Sequence, residues 1–181
     1  MKGSRRLVID ASVARAAGGQ DATDSTAKSC RDFLQAVLTI CHRAVFPPQL
    51  IEEWKKHASR FAQSWQVAME RRGKLDWIEP QSDDEMREIM VEIAANEKDQ
   101  AAMEKDAFLL EAAQTNTDRM VIALDEIARG LFRELAEELP RIHKIVWVNA
   151  ALEEDSALEW LKSGAKPEPR RRLRQGRKRK R

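Results

Sequence analysis

Arg6-Leu7-Val8-Ile9-Asp10-Ala11-Ser12 carries the reading that decides the fold: a three-residue apolar run that stops on a carboxylate. Short apolar runs between polar residues form strands buried on both faces of a parallel sheet. Ala44-Val45-Phe46 is a second such run, 120–124 a third that stops on Asp125, and 144–148 a fourth; 75–79, interrupted by Asp76, is an ambiguous strand stopped by Pro80. Helical spacing of apolar residues marks the stretches between them: 12–17, 26–43, 48–73 with a bend, 82–93, 106–114, 126–139 and 151–162. Strands alternating with helices imply βαβ units. The expected fold is therefore α/β, a three-layer α/β/α sandwich around a mainly parallel sheet, with residues 1–164 as one domain.

Composition fits one such domain. Hydrophobic residues make up 43% of 181, enough for a core and too many for a chain disordered throughout. The net charge of +2 hides a split, because residues 166–181 hold ten Lys or Arg against one Glu, leaving −7 on the first 165. A basic end on an acidic body suggests a polyanionic partner. Residues 165–181 are expected to form a disordered basic tail. Cys30 and Cys41 fall in one predicted helix about 16 Å apart, too far for a disulfide and consistent with a reducing compartment. No run approaches the roughly 18 apolar residues of a membrane span, and no secretory signal opens the chain. A soluble, cytoplasmic protein without a membrane partner is expected.

In an open parallel sheet, ligands bind beyond the carboxyl ends of the strands. Asp10 and Asp125 fall there, each directly after a predicted strand. Two carboxylates brought together repel, and a cation between them removes that cost. Oxygen ligands without Cys or His favour Mg²⁺ or Mn²⁺. An aspartate after a strand also commonly caps the next helix, so each acid alone has a structural explanation.

Four segments together resemble the PIN-domain ribonucleases. Arg6-Leu7-Val8-Ile9-Asp10-Ala11-Ser12 is similar to the family's opening strand and first acid. Phe46-Pro47-Pro48-Gln49-Leu50-Ile51-Glu52-Glu53-Trp54 is similar to the second motif, a strand, a proline-led turn and a helix bearing a Glu. Lys105-Asp106-Ala107-Phe108-Leu109-Leu110-Glu111-Ala112-Ala113 resembles the third, an Asp on an apolar helix. Thr117-Asp118-Arg119-Met120-Val121-Ile122-Ala123-Leu124-Asp125-Glu126 resembles the fourth, a short strand closing on an Asp. The motifs stand in family order.

The resemblance implies a flavodoxin-like topology and Mg²⁺- or Mn²⁺-dependent endoribonuclease activity. Asp10, Glu53, Asp106 and Asp125 would be metal ligands and catalytic groups, with Ser12 beside them. Glu52 is the alternative to Glu53, and Asp118 a reserve on the wrong sheet edge. Ala123 departs from the Thr or Ser that members often carry two residues before the fourth acid, and 82–104 is longer than in compact members. The toxin group of the family, the VapC-like toxins, implies RNA as substrate, a small antitoxin protein as partner and a homodimer. Arg170, Arg171, Arg172, Arg174, Arg177, Lys178, Arg179, Lys180 and Arg181 would then touch RNA phosphates, a salt-dependent contact.

The rivals are a non-catalytic PIN-like module binding RNA or protein, and a nuclease processing structured RNA or DNA. A phosphotransferase of the haloacid-dehalogenase kind would need an Asp at position 12, where Ser12 stands. His42, His57 and His143 fit no metal spacing and are expected to pack. The five Trp are expected in the core or at a partner interface, with Trp54 packed against the site.

Overall fold

A computed structural model describes residues 3–19 and 21–174. Five strands, β1 (Arg6–Ile9), β2 (Arg43–Phe46), β3 (Leu75–Trp77), β4 (Met120–Ile122) and β5 (Val146–Val148), form one sheet of order β3-β2-β1-β4-β5. Every pairing is parallel. β1, β4 and β5 are almost wholly buried, as strands covered on both faces must be. The chain is an α/β protein with a three-layer α/β/α arrangement.

Among the described residues eight α-helices cover the sheet: α1 (Ala11–Ala16), α2 (Ser25–Ile40), α3 (Pro48–His57), α4 (Arg60–Arg71), α5 (Asp84–Ile93), α6 (Glu97–Thr115), α7 (Glu126–Glu138) and α8 (Ala157–Lys162). α2 packs on α4 and α8 in one layer, and α6 packs on α5 and α7 in the other. The expected bent helix over 48–73 is two helices, because Ser59 caps α4 by accepting the Ala62 N–H. The helix expected from Asp106 starts nine residues earlier, capped by Asn96. Residues 82–104 thus supply α5 and the first half of α6, and their buried Met86, Met90 and Met103 fill the second layer.

The topology fixes where a ligand can bind. From β1 the chain moves outward to β2 and β3, then returns to the other side of β1 with β4 and moves outward again to β5. The direction reverses between β1 and β4, and such switch points open a crevice beyond the strand ends. Asp76 secures the β3 edge, accepting both Arg43 (2.9 Å) and Arg6 (3.2 Å). The Arg43 guanidinium holds the Asp76 carboxyl below the usual range.

Part of the expected tail belongs to the domain. Pro169–Arg171 is a 3₁₀ turn, Arg172 bridges Val146 in antiparallel sense, and the Leu173 N–H donates to the Ile145 carbonyl at 2.9 Å. Leu173 and Arg171 are each 2% exposed. The expected boundary at residue 164 is therefore corrected to lie no earlier than Arg174. The physical reason is one buried apolar residue, Leu173, and a buried cation, Arg171, which stacks on Trp160 and pairs with Glu168. Residues 175–181, with the expected RNA contacts Arg177, Lys178, Arg179, Lys180 and Arg181, lie outside the described residues. Among the described residues no helix is long and apolar enough to cross a membrane.

Candidate active site

Ile9 pairs with Ile122 across β1 and β4, so Asp10 and Asp125 leave the sheet at the same edge, at the switch point. Each is held as a helix cap. Asp10 Oδ2 accepts the Ser12 N–H at 3.0 Å, and Asp125 Oδ1 accepts the Ala128 N–H at 2.9 Å. Capping engages one oxygen of each carboxylate, so the structural and functional explanations coexist in the same residue.

Asp106 reaches the same place from the middle of α6, which packs against both β1 and β4. A mid-helix position offers no free backbone N–H, and the residue is only 6% exposed. Burial, then the charge of Asp10, then that of Asp125 push its carboxyl up to about 7, against the pull of Lys105. Lys105 Nζ stands 3.6 Å from Asp106 Oδ1.

Glu53 completes the set from α3. A cavity of about 360 Å³ is lined by Asp10, Ser12, Glu53 and Asp106, together with Arg15, Gln49, His57, Lys105 and Phe108. Asp125 is not among its lining residues; its charge reaches Asp106 from beside the cavity. Glu52, the alternative, faces away and pairs with Lys55 at 2.9 Å, so α3 presents Glu53 to the cavity. Trp54 sets that orientation: it is buried, and its indole N–H donates to the Ile9 carbonyl at 2.9 Å, tying α3 to the end of β1.

The loops bearing the aspartates are tied together. Ser12 Oγ accepts the Leu124 N–H at 3.2 Å, and Asn149 Nδ2 donates to the Leu124 carbonyl at 3.1 Å. Asn149 is itself held by Asp155, which accepts its N–H and the two arms of buried Arg129 (2.9 and 3.3 Å). Asp118 sits at the opposite edge, accepting Arg5 and the Arg6 N–H at 2.9 Å each, and is a structural acid.

Sequence reasoning missed Arg15, Gln49, His57 and Lys105. Lys105 was legible as the neighbour of Asp106; the others reach the cavity only through the packing of α1 and α3. His57 Nε2 lies 3.4 Å from Glu53 Oε2. The described basic residues of the C-terminal segment stand elsewhere. Arg170 pairs with Glu168 at 2.9 Å. Arg171 is buried over the Trp160 ring and paired with Glu168 at 3.0 Å, which corrects its assignment to RNA contact. Arg172 bridges β5, and Arg174 lies 3.5 Å from Glu137. The segment runs antiparallel to β5 and leaves at the start of that strand, away from Asp10 and Asp125.

A second cavity of about 480 Å³, beside α2 and α4, is lined by Leu38, Arg60, Phe61 and Trp65 and by none of the four predicted acids. Among the described residues no group of three or more His, Cys, Asp or Glu is gathered closely enough to hold an ion as it stands. The donor chemistry fits a hard divalent cation: all-oxygen side chains, one of them buried beside two other carboxylates. Compared with protein-family models, with curated proteins and with solved structures, the chain matches none.

Proposed function

We propose that the chain is a metal-dependent endoribonuclease of PIN type, hydrolysing RNA phosphodiesters with Mg²⁺ or Mn²⁺ at Asp10, Glu53, Asp106 and Asp125. One observation carries the reading: carboxylates from separate segments converge at the switch point, and buried Asp106 feels the charges of both Asp10 and Asp125. A buried acid among acids is costly, and such perturbed groups concentrate at sites that bind cations or handle protons.

Mg²⁺ takes one or two protein carboxylates and keeps several waters. Asp10, Asp106 and Asp125 would hold the ion, Asp10 and Asp106 from the cavity wall and Asp125 from beside it. When bound, the ion supplies a water of lowered pKa and neutralises charge growing on the phosphate. Glu53, on the cavity wall beside His57, accepts a hydrogen bond from the attacking water and aims it. Ser12 holds the two aspartate loops in register. The toxin role, a small antitoxin partner and a homodimer belong to the same reading and rest on the family resemblance alone; a cytoplasmic location rests on the separated cysteines and the absence of a signal or membrane run in the sequence.

A non-catalytic PIN-like module binding RNA or protein is the second reading. Incubation with total RNA and Mn²⁺, with and without chelator, separates the two. Fragmentation stopped by chelator and lost in Asp10→Asn supports the nuclease. Intact RNA after incubation with folded wild-type protein sinks it.

A further inference from the structure

We propose that Arg15 and Lys105 hold the non-bridging oxygens of a single-stranded phosphodiester in the cavity of Asp10, Glu53 and Asp106. This rests on the nuclease reading of that cavity and adds the groups that bind the substrate.

The warrant is charge. Asp10, Glu53 and Asp106 put three carboxylates on one cavity. A divalent ion leaves one negative charge, and a phosphodiester brought there would be repelled. Arg15 and Lys105 line the same cavity and lift that balance to one positive charge on its lining, or to zero when Asp125 beside it is counted, so the phosphodiester is no longer repelled. Their origin fits the task. Arg15 stands in the last turn of α1, the helix that Asp10 caps, and Lys105 immediately precedes Asp106 on α6. The two cations thus flank the two inner acids from two different elements.

Both are available. Arg15 is exposed and has no ion-pair partner among the described residues. Lys105 is 70% exposed at its side chain, and its one ion pair, to Asp106 at 3.6 Å, is long. A cation on Asp106 displaces that contact and frees the ammonium for an anion. Arg contributes a planar fork suited to two phosphate oxygens, and Lys a point charge on a flexible stem. A volume of about 360 Å³ has room for one nucleotide's phosphate and sugar.

The test measures binding and cleavage separately. A short fluorescein-labelled single-stranded RNA of mixed sequence, and a DNA of the same sequence, are titrated by anisotropy in Ca²⁺ over a range of salt. Wild type is compared with Arg15→Gln, Lys105→Gln and Arg15→Lys, each checked for an unchanged melting temperature. Cleavage in Mn²⁺ is followed in parallel. Each Gln variant is expected to weaken binding about tenfold and to flatten the salt slope by about 0.7, the value for one lost single-strand phosphate contact. Arg15→Lys should recover the slope. The DNA arm reports whether the sugar matters. Binding and slope unchanged in both Gln variants overturn the proposal, as does a wild type that binds neither strand. Binding that falls as expected in a protein that never cleaves keeps the anchor and removes the nuclease reading.

Discussion

Ser12 Oγ accepts the backbone N–H of Leu124 at 3.2 Å, joining the turn after β1 to the turn after β4. Each turn carries one aspartate, so this bond, together with the Asp10 N–H donated to the Ile122 carbonyl at 2.8 Å, helps set their spacing. The arrangement makes Ser12 a positioning residue rather than a ligand. Ser12→Ala leaves a half-buried N–H unpaired, at about 1 kcal/mol. Mn²⁺-dependent cleavage is expected to fall at least about tenfold while the fold persists, as a misplaced catalytic group predicts. Ser12→Thr, which keeps the hydroxyl, should recover most of it. An alanine variant cutting RNA at the wild-type rate would reduce the bond to packing.

Asp106 should cost the resting protein stability. Folded, its carboxyl keeps the proton up to about 7, whereas the unfolded chain releases it near 3.8. The folded state therefore binds more protons between those values, and stability falls as pH rises through that window. Asp106→Asn removes the charge and is expected to gain about 1–2 kcal/mol above neutral pH, with cleavage abolished. Thermal melts from about pH 4 to about pH 8 should show a flatter profile for the variant than for wild type. Asp76 has the opposite sign: its lowered pKa gives stability that is present above 3.8 and lost below it.

Asp10 and Asp125 each combine a capping bond with a place at the site, so the choice of substitution decides what is measured. Alanine removes the cap as well as the charge and is expected to cost about 1 kcal/mol. Asparagine keeps a capping oxygen. Asp10→Asn and Asp125→Asn should melt within about 1 kcal/mol of wild type yet cleave no RNA in Mn²⁺. Retained cleavage in either would remove that residue from the metal site.

The C-terminal segment predicts a result against the simplest expectation for a basic tail. Truncation after Gly164 removes Leu173 and Arg171, both buried, and leaves Asp155 without the Arg171 guanidinium 4.0 Å away. The melting temperature should drop by several degrees, by loss of packing and of a buried charge. Arg171→Ala should reproduce part of the loss. A truncated protein as stable as the full chain would mean that the segment merely rests on the domain. Any measurement of RNA binding by 175–181 should therefore cut after Arg174.

Legibility followed the range of the interaction. Leu7-Val8-Ile9 and the start of 120–124 are legible as strands because a short apolar run is a local signal, although β4 ends at Ile122, and the acid after each run needs no partner to be noticed. The first half of α6 was invisible because 97–105 has no apolar stripe, and only Met103 is buried there. Trp54 was singled out beside Glu53, yet its bond to the Ile9 carbonyl spans 45 residues of sequence and is found only in space.

The sequence by itself determined the layers, the parallel sheet and the acids that end β1 and β4, since hydrophobic periodicity is written residue by residue. Only the tertiary structure decided that Glu53 rather than Glu52 faces the cavity, that Arg15 and Lys105 stand among the acids, and that Arg171 belongs to the interior. Those outcomes depend on contacts between segments far apart in the chain, and on the charge and burial that exist only once the segments meet.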